Sequence, residues 1–77
     1  MHIKVRNINR WFSTATRDDV NTLLSKIILS ERQTRIFEMF YLKRQSIGFI
    51  ADTLGASQPV ICRELNIIRD KISTIIQ

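Results

Sequence analysis

The chain has 77 residues, 44% of them hydrophobic, and a net charge of +5. That apolar share excludes a disordered chain, and the length suits one small domain spanning residues 1–77, whose core alone supplies only ~3–5 kcal/mol. The charge favours an anionic partner such as nucleic acid, the plainer alternative being a soluble basic domain without one.

The chain opens with a basic N-terminal segment, residues 1–16. Lys4, Arg6, Arg10 and Arg17 all precede the first acid, Asp18. Ile3 and Val5 alternate as in a strand, whereas Val5, Ile8 and Phe12, with Trp11, fit a helix face; a short helix over residues 3–12 is the favoured reading. Trp11 and Phe12 are large enough to dock on the rest of the domain. The cations suit phosphate contact or an arm in a minor groove, and equally a solvated charged surface.

Thr16-Arg17-Asp18-Asp19 has the form of a capping box, and acids in a first turn suit the helix dipole. Val20, Leu23, Leu24, Ile27 and Ile28 then mark one face of an amphipathic helix. Leu29-Ser30 is too short for a linker. Ser30-Glu31-Arg32-Gln33 is a second capping box, opening a helix that carries Ile36, Phe37, Met39, Phe40, Tyr41 and Leu42 and is expected to be buried at the centre. Glu31 stands four residues before Arg35, the spacing of a helical ion pair worth ~0.3–0.5 kcal/mol. Lys43 and Arg44 lie in the connection that follows, where contact with backbone phosphates is the functional reading.

Residues 46–72 spell a helix-turn-helix. Ser46 is a candidate N-cap for a helix with Ile47, Ile50, Ala51 and Leu54 on one face, and Gly55 stands where a left-handed residue ends it. Ser57 caps a second helix, with Pro59 tolerated in its first turn and Ile61, Leu65, Ile68 and Ile72 forming its buried stripe. The expected fold is an all-α bundle of four or five helices built around this motif.

The run Leu29-Ser30-Glu31-Arg32-Gln33-Thr34-Arg35-Ile36-Phe37, with Ala51, Gly55, Ala56 and Ile61 at their spacing, resembles the LuxR/GerE-type regulators and the related fourth region of bacterial sigma factors. The resemblance covers residues 29–72. It implies a small residue at Ala51 where the helices cross and a turn at Gly55. LuxR-type domains add a C-terminal helix for dimerisation. With the chain reaching only Gln77, a dimer is expected to use the end of the last helix or the N-terminal segment.

With the apolar stripe of the second helix turned inward, its outward face holds Ser57, Gln58, Pro59, Cys62, Arg63 and Asn66. In helix-turn-helix proteins the start of this helix enters the major groove. Arg63 suits a bidentate contact with guanine, Gln58 or Asn66 one with adenine, and Ser57 a phosphate. The structural alternative is an ordinary solvated face. Glu64 is a repulsive charge there unless it accepts from a cytosine amine or orients Arg63. Cys62 fits beside a thymine methyl, or as a thiol whose oxidation controls binding.

Ile67, Ile75 and Ile76 exceed what one small core needs and are the candidate dimer contacts. No catalytic constellation, metal-ligand spacing or cofactor motif is present, and His2 stands alone. The single cysteine excludes an intrachain disulfide and suits a reducing compartment. No apolar run reaches a membrane span and no signal-like stretch follows the start, so a cytoplasmic location without a membrane partner is expected. The functional expectation is a sequence-specific regulator that binds double-stranded DNA as a homodimer. Its rivals are a sigma-region-four-like module that docks on RNA polymerase or a regulator, and a DNA-targeting domain of a transposase or recombinase.

Overall fold

The computed structural model describes the backbone of residues 2–76 and the side chains of residues 7–76. Among them every regular element is helical and no strand occurs. The order is α1 (His2–Thr14), α2 (Arg17–Lys26), α3 (Glu31–Phe37) with a π-helical continuation over Glu38–Leu42, α4 (Ile47–Leu54) and α5 (Gln58–Ile76). The chain divides into two compact units. Leu29–Ile68 holds α3, the π-helical turn, α4 and the first part of α5; the other unit holds α1, α2 and the last turns of α5 from Arg69.

In the unit of α1 and α2, the helix expected over residues 3–12 runs longer at both ends, His2–Thr14. Ile8 is buried, and the half-buried Trp11 and Phe12 meet edge to face with centroids 4.9 Å apart. The readings that rest on the side chains of His2, Ile3, Lys4, Val5 and Arg6 lie outside the described residues. α2 starts as its sequence dictates. Thr16 Oγ1 accepts from the Asp19 N–H at 3.1 Å, and Asp19 Oδ2 accepts from the Thr16 N–H at 3.0 Å.

Leu23 and Ile27 are buried, but the apolar stripe does not reach Ile28 as expected: Ile28 is 86% exposed. The cause is the next helix. Ser30 must be extended (ψ 165°) to cap α3, so α2 stops at Lys26 and Ile27 is already extended (φ −110°, ψ 147°). Lys71 Nζ donates to the Ile28 carbonyl at 2.6 Å, and Ile72 on the same stretch of α5 is fully buried.

In the unit Leu29–Ile68, Ser30 Oγ accepts from the Gln33 N–H and Gln33 Oε1 from the Ser30 N–H, both at 3.1 Å. This reciprocal pairing accounts for a glutamine in the core, since a buried amide is tolerated when it is hydrogen-bonded. Ile36, Phe37 and Met39 are buried, but Leu42 is 47% exposed, so the helix is not buried all the way round. Its second half widens instead, with the Lys43 N–H reaching back five residues to the Glu38 carbonyl at 2.9 Å. Tyr41 packs within that segment against Phe37 and Phe40, centroids 5.5 and 5.0 Å away. The ion pair expected between Glu31 and Arg35 is not formed among the described residues. Both side chains are exposed, and so small a gain does not hold two long side chains in one geometry.

Ser46 Oγ accepts from the Phe49 N–H at 3.1 Å and starts α4. Gly55 ends it in the left-handed region (φ 67°, ψ 36°), and the Ala56 N–H closes the turn on the Ala51 carbonyl at 2.9 Å. The Ser57 carbonyl accepts from the Ile61 N–H at 3.2 Å, which places Ser57 at the start of α5. Ile61, Leu65 and Ile68 are fully buried, with Ile50 and Ala51 of α4. Ala51→Leu should therefore lower stability by roughly 1–3 kcal/mol through overpacking. A thermal melt indistinguishable from the wild type would show that the motif has room at this position.

Candidate nucleic-acid interface

The buried stripe of α5 leaves the opposite side of the helix to solvent. Ser57, Gln58, Pro59, Cys62, Arg63 and Asn66 are all exposed, as expected from the spacing of the apolar residues. Positions 58, 62 and 66 succeed one another at four-residue intervals, so their side chains form one row, with 59 and 63 on the row beside it. Glu64 is half-buried rather than out on that face, and among the described residues neither an ion pair nor a hydrogen bond ties it to Arg63. Among the described residues no carboxylate engages the Arg63 guanidinium. The Cys62 thiol is free and exposed.

One contact between the two helices of the motif bears on this face. A Cβ built on Gly48 of α4 stands 3.4 Å from Gln58 Nε2. The side chain of Gln58 thus lies beside α4 at Gly48, at a distance that a methyl group would also meet in ordinary contact.

Lys43 and Arg44 are exposed in the connection before α4, within the same unit as the first part of α5. Arg44 has φ 55° and is the sole non-glycine residue with positive φ among those described. Its neighbour Gln45 has its Oε1 buried with no hydrogen-bond partner. A left-handed conformation costs a residue with a Cβ ~1–2 kcal/mol, so this connection carries strain that no sequence pattern announced.

Charge is unevenly spread between the units. Leu29–Ile68 has five cations, Arg32, Arg35, Lys43, Arg44 and Arg63, against four anions, Glu31, Glu38, Asp52 and Glu64. The excess of positive charge therefore lies in the other unit. Two cations of the unit Leu29–Ile68, Arg32 and Arg35, were not among the contact residues expected from the sequence. They line an open groove of about 400 Å³ with Glu31, Leu54 and Gly55. Their i, i+3 spacing was a signal, but the turn that completes the groove is remote in sequence.

Of the candidate dimer contacts, Ile67 is 37% exposed and Ile75 38% exposed. Ile75 borders an apolar groove of about 430 Å³ with Ile27 and Ile28. Ile76 is half-buried and shares a second groove with Trp11 and Leu23, so it is not left uncovered as expected. The longer α1 supplies that neighbour. Among the described residues no cluster of His, Cys, Asp and Glu could hold a metal ion. No helix is long and apolar enough to cross a membrane.

The strained connection makes its own prediction. Arg44→Gly should raise stability by up to about 1 kcal/mol, because glycine adopts φ > 0 without steric cost. Arg44→Ala should bring no such gain. Chemical denaturation of the two variants beside the wild type measures the difference.

Comparison with family models, with curated proteins and with solved structures returns no match.

Proposed function

We propose that this chain is a sequence-specific, double-stranded-DNA-binding transcriptional regulator that reads the major groove with the first half of α5. The observation that carries the reading is the exposed polar row on α5, opposite the fully buried Ile61, Leu65 and Ile68. That row directly follows a left-handed turn at Gly55. The likeness of residues 29–72 to LuxR/GerE-type and sigma-region-four domains supports the same assignment. On this reading Arg63 takes two acceptors of a guanine, Gln58 or Asn66 pairs with an adenine edge, and Cys62 lies against a thymine methyl. Ser57, Lys43 and Arg44 hold phosphates and set the register.

A second reading has its own observation. The helix-turn-helix unit is almost balanced in charge, and Phe49 on α4 is 52% exposed. A module that docks on RNA polymerase or on a regulator through an apolar surface needs no excess of cations. Salt separates the two, since affinity for DNA falls steeply as salt rises and apolar docking does not.

Selection of duplexes from a random pool tests the main reading directly. On the selected site, Arg63→Ala should cost ~1–3 kcal/mol and relax the preference at one base pair. Lys43→Ala should weaken all duplexes alike and reduce the salt slope by about 1. Equal losses for Arg63→Ala on selected and random duplexes would reassign that side chain to a phosphate.

The same proposal includes a homodimer on an inverted repeat, because one small module buries only ~600–1,000 Å² on DNA and reads few base pairs. The exposed Ile75, beside the groove it forms with Ile27 and Ile28, is the contact surface. Half-sites should then lie about 10 bp apart or a multiple of that. Ile75→Glu should abolish cooperativity on the full site and leave half-site binding nearly unchanged. Sedimentation at micromolar protein showing a monomer with and without duplex would remove the dimer.

A further inference from the structure

Arg32 and Arg35 differ from the other cations of the helix-turn-helix unit in where they stand. Both are exposed on α3, one turn apart, and among the described residues neither is engaged by a carboxylate, Glu31 included. They line the groove whose remaining wall is the end of α4, Leu54 and Gly55. At Gly55 the backbone is bare: nothing lies within 4 Å of the place a Cβ would take. Two guanidiniums therefore face an open hollow beside the residue that leads, through Ala56 and Ser57, into the recognition helix.

A guanidinium presents several N–H donors in a fixed fork that matches phosphate oxygens, and two of them one turn apart on one wall of a groove hold such an anion together. We infer that this groove seats a phosphodiester of the DNA backbone, and that Arg32 and Arg35 clamp the duplex next to the turn while the row on α5 reads it. The inference rests on the DNA-binding reading and adds to it two residues and a groove. It also gives a nearly charge-balanced unit a place where positive charge is concentrated. Glu31 on the rim opposes the anion, so its charge limits the affinity of the groove.

The experiment measures binding to a random 20-bp duplex as a function of salt, for the wild type, Arg32→Ala/Arg35→Ala, Arg32→Lys/Arg35→Lys and Glu31→Gln. The substituted side chains are exposed, and thermal melts of all four proteins verify the fold. The double alanine variant should bind about tenfold more weakly at low salt, with a salt slope reduced by roughly 1–2. The double lysine variant should keep most of the slope, and Glu31→Gln should bind about threefold more tightly. Binding and slope unchanged in the double alanine variant would overturn the clamp and leave the DNA-binding reading standing. A wild type that binds no duplex would overturn both. Poly-glutamate bound as tightly as the duplex, with the same loss on removing the arginines, would assign the groove to carboxylates and overturn the phosphate.

Discussion

The turn between α4 and α5 is the constraint on which the rest of the candidate site depends. Gly55 sits in the left-handed region and the Ala56 N–H bonds back to Ala51, which ends α4 two residues before Ser57. With the turn set, burial of Ile61 and Leu65 beneath α5 leaves no freedom in which residues face outward. The exposed row of Gln58, Cys62 and Asn66 is then a geometric outcome of apolar packing, independent of whether those residues bind anything. On the other side, Gln58 lies beside Gly48 of α4. The chemistry of the outward face is free to vary without disturbing the fold.

What was legible in the sequence is what local rules control. Thr16, Ser30 and Ser46 were readable as caps because a hydroxyl at a helix start satisfies an otherwise unpaired N–H, and each does so. The stripe of α5 was readable because a 19-residue helix gives its period many chances to repeat. The misses share a different cause. Ile28 matched the period of α2, yet the need of α3 for an extended Ser30 overrode it. The π-helical turn leaves no mark on an apolar run, since a segment that is hydrophobic on several sides fits either winding. The left-handed Arg44 has no residue signature, because arginine is not chosen for that conformation.

The candidate site was legible to the same extent. The outward residues of α5 followed from its buried ones, so their exposure was deducible from spacing alone. Arg32 and Arg35 were not, because their groove is completed by Leu54 and Gly55, some twenty positions on. The division of the positive charge was hidden too. A net +5 describes the chain as a whole, whereas the helix-turn-helix unit is almost neutral. Total charge therefore says little about the field at the candidate site, and the placement of a few guanidiniums says more.

The π-helical turn over Glu38–Leu42 has a consequence for how this chain tolerates changes in length. Each of its hydrogen bonds spans one residue more than in an α-helix, so the segment accommodates an insertion that the surrounding helices absorb. Deleting one residue there would let the winding return to the α form without breaking α3 or α4. Because the wider winding takes up the extra residue within about one turn, the helix on either side would keep its facing. Lys43 and Arg44 would stay on the side of the unit they occupy now. The segment is thus the place in this unit where the chain can lose one codon while the bearing of those two cations is kept.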